Sequence, residues 1–474
     1  MNKLSFDIVI FGATGYTGRL VAEHLYERFG ARGDSRRGED GSGTDEAEEK
    51  GISWAMAGRS VAKLEKVRAE IQSEIDERKH DHKSATSRSP KRSEKVRGSH
   101  HEETASGGQS YESGGRDQIP LITADAADED SLRRMCRQTR VVISTVGPFA
   151  LYGELLIKVC AETGTDYCDS TGELPWVARM IEQYEEKARQ SGARLVPFCG
   201  FDSIPSDLGV WHLQQKAQET YGRPATEVKM CIRGIKSAGM SGGTAASMMN
   251  VMREASRDRA VRRSLADPYL LCPGSHNHSE KQPNQKGPRL DRDFDSWTAP
   301  FLMSVVNTRV VFRSNALSGM EYGKDFRYRE VVCTGRGFAG WVRAAGLSGG
   351  TALMVMAGSI GPIRRLFERF VLPSPGQGPD LNARKKGFFN LRFAGKTERY
   401  EAIETEVKGS EDPGYGTTAR MLAESALCLA ENSFKSDNRT SEGGFWTPAT
   451  LLGNTLIERL ERYAGMDFLF LSKK

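Results

Sequence analysis

Three glycines near the start of the chain are spaced to let the backbone approach a phosphate group. They follow an apolar run at Phe6–Phe11 and precede an amphipathic run from Arg19, an order that predicts strand, turn and helix. Backbone N–H groups of such a turn and the positive end of the helix dipole bind the pyrophosphate of a dinucleotide. Because the spacing is GxxGxxG, the prediction depends on this context, and a turn without a ligand is the alternative. The predicted cofactor-binding residues are Gly12, Ala13, Thr14, Gly15, Tyr16, Thr17 and Gly18.

The residues after the second predicted strand indicate which dinucleotide is bound. That strand, at 52–57, leads into Gly58, Arg59 and Ser60, where an NAD-binding protein places an acidic residue for the ribose hydroxyls. A guanidinium and a hydroxyl suit the 2′-phosphate of NADP instead. Arg59 and Ser60 therefore favour NADP over NAD, and the alternative for Arg59 is an ordinary solvated side chain.

Two further strand ends contribute to the predicted cofactor site. A third strand at 118–123 is followed by Asp125, which could contact the adenine ring. A fourth strand stops at a loop that, in a doubly wound sheet, lies close to the pyrophosphate and the nicotinamide ribose. The residues assigned to this loop are Thr145, Val146, Gly147 and Pro148.

Polar residues around the later strand ends are the candidates for substrate contact and catalysis. Ligands of an open α/β sheet bind beyond the carboxyl ends of the strands, so the loops 144–149, 169–173 and 199–207 should meet at one crevice. None of the candidates has a recognised catalytic spacing, and Asp202 could equally cap a helix. The YxxxK pair of short-chain reductases is absent from the chain, and no cysteine spacing predicts a metal site. The candidates are Tyr152, Glu173, Asp202 and Ser203.

The elements that position these residues alternate between strand and helix over residues 1–210. This alternation predicts an α/β fold with a Rossmann-type parallel sheet and right-handed crossovers. Two polar stretches rich in glycine and charge, at about 31–50 and 76–117, interrupt the pattern. Their composition predicts disordered insertions, since they offer almost nothing to bury in a core.

Five short motifs occur in an order that is typical of one family. They are Gly-Ala-Thr-Gly-Tyr-Thr-Gly at 12–18, Ala-Gly-Arg-Ser at 57–60, Ser-Thr-Val-Gly-Pro-Phe at 144–149, Tyr-Cys-Asp-Ser-Thr-Gly-Glu at 167–173 and Gly-Phe-Asp-Ser-Ile-Pro-Ser-Asp at 200–207. Together they resemble the saccharopine dehydrogenase-like oxidoreductases, which include the mycobacterial trans-acting enoyl reductases of glycolipid synthesis. The resemblance implies a Rossmann domain with a second α+β domain and nicotinamide-dependent reduction. In some members it also implies association with lipid droplets or membranes.

Within that frame, residues 211–410 are predicted to form the α+β domain for substrate binding or dimerisation, with a polar linker at about 272–292. Residues 411–474 are predicted to form C-terminal helices that pack back on the first domain. The stretch 344–361 carries no charge and has a basic flank. It is interpreted as a buried helix or loop, with contact to a membrane surface or lipid droplet as the alternative. It is too weakly apolar to predict a spanning helix, which needs about twenty apolar residues.

The favoured function is NADP-dependent reduction of a lipid-linked enoyl or keto group. Reduction of saccharopine itself would need groups for three carboxylates, and the crevice motifs contain no arginine cluster. The mixed apolar second domain suits a lipidic substrate better. The alternative is a non-catalytic NADP-binding protein associated with lipid droplets or membranes. The absence of a recognised catalytic spacing supports this alternative.

Composition narrows the partners and the compartment. The 67 basic and 62 acidic residues are interspersed and nearly balanced, so nucleic-acid binding is not predicted. The eight cysteines contain no CxxC pair, and a strand that begins at Phe6 leaves no room for a secretory signal peptide. Reduced thiols and an intracellular, cytoplasmic location are expected, with lipid-droplet or membrane contact and a homodimer as open hypotheses.

Overall fold

The computed structural model describes residues 4–31, 51–86, 118–237, 242–359, 384–431 and 442–471. Most of the two predicted insertions lies outside these ranges. Residues 76–86 are an exception, because the helix that starts at Val61 continues through them to Thr86. The beginning of the second predicted insertion is therefore helical.

The first sheet has seven strands, and every neighbouring pair in it is parallel. Its order β13-β6-β5-β4-β1-β2-β3 contains the doubly wound order 3-2-1-4-5-6 of a Rossmann fold. The predicted α/β fold class is thus confirmed. The strands are β1 (Phe6–Phe11), β2 (Trp54–Gly58), β3 (Leu121–Thr123), β4 (Thr139–Ser144), β5 (Asp166–Asp169), β6 (Arg194–Val196) and β13 (Gly444–Phe445).

Helices cover the first sheet because its central strands are apolar on both faces. Val9 and Ile10 of β1 are fully buried although their side chains point in opposite directions, the pattern of a parallel sheet between helical layers. The helices are α1 (Tyr16–Phe29), α2 (Val61–Thr86), α3 (Glu129–Cys136), α4 (Phe149–Tyr152), α5 (Glu154–Thr163), α6 (Leu174–Ser191) and α7 (Ile204–Tyr221).

The second sheet is mixed and also has seven strands, in the order β14-β12-β11-β7-β10-β9-β8. Only β7 and β10 pair in parallel, and the other pairs are antiparallel. The strands are β7 (Ala225–Lys236), β8 (Arg289–Asp291), β9 (Ser296–Pro300), β10 (Arg327–Gly335), β11 (Phe388–Thr397), β12 (Ala402–Gly409) and β14 (Met466–Leu471).

Four described helices belong to the second half of the chain before residue 360. The apolar residues at 305–312 belong to one continuous helix, in which Val306, Val310 and Phe312 are buried. The stretch 267–288 contains neither helix nor strand, which accommodates most of the polar linker. The helices are α8 (Gly242–Arg257), α9 (Arg259–Ala266), α10 (Ser304–Leu317) and α11 (Gly337–Ser359).

The C-terminal part of the chain contributes to both sheets. It contains α12 (Thr418–Glu431), α13 (Pro448–Leu451) and α14 (Gly453–Tyr463), and α12 packs on the first domain. Arg140 on β4 and Arg194 on β6 donate hydrogen bonds to the last carbonyls of α12. The sequence did not predict β13 and β14, which add a strand to the first and the second sheet respectively.

Helix α11 contains the uncharged stretch that had two interpretations. Ala344 and Ser348 are buried, whereas Leu353 is 60% exposed and Phe338 79% exposed. The helix is therefore partly buried and leaves apolar side chains in contact with solvent. Among the described residues, none of the helices combines the length and the apolar character that crossing a membrane requires. Residues 360 and 361 lie outside the described ranges.

The prediction that all cysteines are reduced is wrong for one pair. Cys231 on β7 and Cys333 on β10 form a disulfide between adjacent strands, with their Cα atoms 5.9 Å apart. No short pattern in the sequence marks this pair, because 102 positions separate the two residues. The other six cysteines are free.

A buried carboxylate joins the first helix of the chain to its last two long helices. Glu424 on α12 is fully buried and pairs with His24 and Arg28 of α1 and with Arg459 of α14. The His24 Nε2 to Glu424 Oε1 distance is 2.6 Å, and the Arg459 Nε to Glu424 Oε2 distance is 2.9 Å. Although burial alone would raise it, these partners lower the pKa of Glu424 to about 2.

Replacing Glu424 with alanine should lower the free energy of unfolding by about 3–5 kcal/mol, because buried cations lose their carboxylate partner. Denaturant unfolding measures this change. Since the folded pKa lies below the unfolded value of about 4.3, the stabilisation is present above pH 4.3 and is lost as the pH falls towards 2. The control is Glu431→Ala, which removes a more exposed partner of Arg459 and should cost about 1 kcal/mol or less. Equal losses would contradict the assignment.

Candidate functional site

One cavity of about 870 Å³ lies at the carboxyl ends of the first-sheet strands. Its walls come from the loops after β1, β2, β3, β4, β5 and β6, and from helices of the second half of the chain. The strand-end loops therefore meet as predicted, because parallel strands end at one edge of the sheet. The predicted site residues that line it are Gly12, Thr14, Gly15, Tyr16, Thr17, Arg59, Asp125, Thr145, Val146, Gly147, Tyr152, Glu173 and Asp202.

The glycine turn has the geometry of a phosphate-binding turn. Gly12 has a φ of +92°, and a Cβ atom there would lie 2.7 Å from both Thr145 Oγ1 and Val146 Cγ2. A Cβ atom on Gly18 would lie only 2.4 Å from the carbonyl oxygen of Gly12. These two glycines let α1 begin close to β1 and leave the backbone of the turn open to the cavity. The residues fit a bound dinucleotide.

Thr145 holds the fourth-strand loop against this turn. Its Oγ1 donates hydrogen bonds to the carbonyl oxygens of Phe11 and Gly12, at 3.2 and 3.1 Å. Val146 and Gly147 continue along the cavity. Pro148 follows a cis peptide bond and begins α4, and it does not line the cavity.

Arg59 and Asp125 line the part of the cavity formed by the glycine turn and the loops after β2 and β3, which is called the cofactor end below. Arg59 is exposed, and among the described residues it has no ion-pair or hydrogen-bond partner, so its guanidinium is available to an anion. Asp125 accepts a hydrogen bond from the backbone N–H of Ala127, which orders the loop after β3. Ser60 is next to Arg59 but does not line the cavity, and neither do Ala13 and Gly18.

A buried aspartate fixes the two loops that carry the polar residues of the other end. Asp169 Oδ1 accepts hydrogen bonds from the N–H groups of Thr171 and Phe198, at 2.9 and 3.2 Å. Its Oδ2 accepts from the hydroxyl of Tyr167 at 2.6 Å. Complete burial raises the pKa of Asp169 to about 7. The loops after β5 and β6 are thus held together by one carboxyl group.

The four catalytic candidates have different surroundings. Glu173 is 1% exposed and accepts hydrogen bonds from Phe149 N, Ala150 N and Ser247 Oγ. Ser203 is buried away from the cavity, and its hydroxyl has no partner among the described residues. Tyr152 is half exposed.

Asp202 is the candidate whose carboxylate faces the cavity without a fixed partner. No hydrogen bond or ion pair ties its carboxylate to another described residue, and burial raises its pKa to about 6. An acid of this kind can carry a proton near neutral pH. Capping a helix would instead require its carboxylate to accept a hydrogen bond from a backbone N–H group, and no described residue donates one.

Apolar side chains from the second half of the chain form the remaining wall, which the sequence predictions missed. The first turn of α8 reaches the cavity through Gly242 and Gly243. A signal for the apolar wall was present in the helical spacing of Met248, Val251 and Met252. Residues from other segments could not be placed without the fold. These include Leu265, Leu302, Met303, Val305, Val306 and Val355.

Tyr415 is a further cavity residue that the sequence did not reveal. It lies in a π-helical turn at Pro413–Thr417, and its ring packs edge-on against Tyr16 with 4.9 Å between the ring centroids. Burial raises the pKa of Tyr415 to about 12. The C-terminal part of the chain thus reaches the cofactor end of the cavity.

Comparison with known proteins identifies relatives over nearly the whole chain. A protein of Mycobacterium tuberculosis, provisionally named a trans-acting enoyl reductase, is 35% identical over 464 residues, covering 96% of this chain and 95% of its own. The trans-acting enoyl reductase of Mycobacterium ulcerans is 32% identical over 473 residues, with the same coverage. Residues 101–196 match the family model of the saccharopine dehydrogenase NADP-binding domain, which confirms the prediction of NADP.

A solved structure similar to this one is the apo saccharopine dehydrogenase (L-Glu forming) of Saccharomyces cerevisiae. The two share 10% identity with a TM-score of 0.49, over 98% of this chain and 100% of that chain. The assignment of the fold rests on the two sheets themselves.

Replacing Arg59 with alanine should weaken NADPH binding about 10- to 100-fold, since a charge-assisted hydrogen bond contributes about 1.5–3 kcal/mol. NADH lacks the 2′-phosphate, so its affinity should change about twofold or less. Fluorescence titration with both cofactors measures the difference. The matched control is Lys63→Ala, which removes an exposed positive charge in the first turn of α2 that does not line the cavity. Equal losses for NADPH and NADH would sink the role given to Arg59.

Proposed function

This chain belongs to the family of trans-acting enoyl reductases related to saccharopine dehydrogenase, and we propose that it reduces an enoyl group on a lipid-like acyl chain. It is an NADP-dependent oxidoreductase. The acyl substrate and the enoyl group are the parts proposed here. The alternative is reduction of a keto group on the same kind of chain, and the assay below distinguishes the two reactions.

The observation that carries the proposal is the distribution of charge in the cavity. Among the described residues that line it, the single basic side chain is Arg59, at the end assigned to the adenosine phosphate. The other end has the apolar wall of Met248, Val251 and Met252 and two acidic side chains. A substrate with several carboxylates would meet no cation there, whereas an uncharged alkyl chain would be desolvated favourably.

Reduction of a carbon–carbon double bond requires a hydride on one carbon and a proton on the other, and bound NADPH supplies the hydride. We assign the proton to Asp202, whose carboxyl group faces the cavity. Its O–H bond breaks as the new C–H bond forms, and the carboxylate then regains a proton from water. Tyr152 is placed at the exposed rim, where it can contact the head of the substrate. The apolar wall excludes water from the reacting carbons.

The assay for this function is the oxidation of NADPH in the presence of defined acyl thioesters. We expect trans-2-enoyl thioesters of long chain length to accelerate oxidation, with the saturated thioester as the product by mass spectrometry. Faster turnover of the 3-keto thioester would show that the reducible group is a keto group and not an enoyl group. Acceleration by saccharopine would contradict an acyl substrate, because the charged carboxylates of saccharopine do not suit the apolar part of the cavity.

Association of this oxidoreductase with a lipid surface is a second proposal, and the exposed apolar side chains of α11 favour it. Phe338, Leu353 and Met356 are each more than half exposed, which suits contact with a lipid surface. Flotation of the protein with phospholipid vesicles would support it, and loss of flotation in a Leu353→Glu variant would locate the contact. The proposed homodimer is a separate question for light scattering.

Replacing Asp202 with asparagine should lower kcat about 10²- to 10⁴-fold, the usual contribution of a general acid. Because burial raises the pKa of Asp202 to about 6, its protonated form prevails below pH 6 and declines tenfold per pH unit above it. The wild-type rate should follow this decline, whereas the Asp202→Asn profile should be flat. NADPH affinity is the internal control. An unchanged pH profile in the variant would assign the proton to water.

A further inference from the structure

The carboxylate of Glu173 connects the two ends of the cavity. Glu173 precedes α6 and is almost completely buried. Oε1 accepts hydrogen bonds from Phe149 N at 2.7 Å and from Ser247 Oγ at 2.6 Å, and Oε2 accepts from Ala150 N at 3.1 Å. Two of the three donors thus belong to the start of α4, and the third belongs to α8.

These donors carry different walls of the site. The start of α4 continues the loop Thr145–Gly147, which lies against the glycine turn at the cofactor end. Helix α8 carries the apolar wall, and Met248 follows Ser247 directly. A single buried group therefore fixes how far the apolar wall stands from the cofactor loop, although Glu173 and Ser247 are 74 positions apart in the chain.

The contacts of Glu173 do not suit proton transfer. Both oxygens accept hydrogen bonds from protein groups, so the carboxyl group is engaged by α4 and α8 and not directed at a substrate. The hydroxyl of Ser247 donates a hydrogen bond to Glu173. Among the described residues that line the cavity, there is no histidine that could activate this hydroxyl as a nucleophile. The pair is arranged to hold two segments together.

We propose that Glu173 and Ser247 form a positioning pair, which sets the distance between the acyl chain on α8 and the cofactor. The proposal rests on the function proposed above, because positioning matters only if a bound carbon must meet the cofactor. Displacement of reacting groups by about 1 Å can cost about 100-fold in rate, so one hydrogen bond at this point has leverage on turnover.

The test compares Ser247→Ala with Ser247→Thr, which keeps the hydroxyl. Ser247→Ala should lower kcat about 10- to 100-fold, with NADPH affinity changed about twofold or less, and Ser247→Thr should restore most of the rate. The double variant with Glu173→Gln should lose no more than Glu173→Gln alone, since both changes remove one interaction. The matched control is Ser256→Ala, an exposed serine on the same helix whose hydroxyl bonds to Arg253 O. It should leave kcat unchanged.

Hydrogen–deuterium exchange with NADP⁺ bound gives a readout that does not depend on turnover. Ser247→Ala should speed exchange both in α8 and in residues 147–153, and Ser256→Ala should leave residues 147–153 unchanged. Unchanged exchange in Ser247→Ala would overturn the pair, and faster exchange with an unchanged kcat would overturn its positioning role. If the wild-type protein reduces no acyl thioester, the proposed function fails. The pair then has no reaction to position, whatever the exchange shows.

Discussion

The close approach of α1 to β1 is the constraint on which the site depends. A side chain at Gly12 or Gly18 would collide with Thr145 or with the turn itself, so the first helix can start at the strand end only because both are glycine. Thr145 then bonds to the same turn and brings the fourth strand's loop to the phosphate side. The cavity is built outward from this contact, and its remaining walls follow the order of the parallel strands.

Much of this arrangement could be predicted because it is local. An apolar run, a glycine turn and an amphipathic run define β1 and α1, and parallel strands bring their loops to one edge whatever lies between them. Strand β13 could not be predicted, since two residues give no periodicity. The disulfide partner of Cys231 and the position of Tyr415 in the cavity depend on pairings between distant segments, which no short pattern records.

The catalytic candidates also show that contacts between distant segments cannot be predicted from the sequence. From the sequence, Glu173, Asp202 and Ser203 are three polar residues in loops of equal standing. In the structure one is bonded on both oxygens, one faces the cavity unbonded, and one is sealed from it. What separates them is the identity of their neighbours, and Ser247, the donor that occupies Glu173, comes from a helix of the other half.

The C-terminal elements have a consequence for how the protein is made. Helix α12 covers part of the first sheet, yet Ala430 of α12 lies 290 positions after its hydrogen-bond partner Arg140 on β4. Until α12 has been made, the part of the apolar sheet face that it covers stays exposed in the nascent chain, and such a surface binds chaperones or aggregates. A chain cut before α12 would therefore keep part of the first sheet's apolar face uncovered.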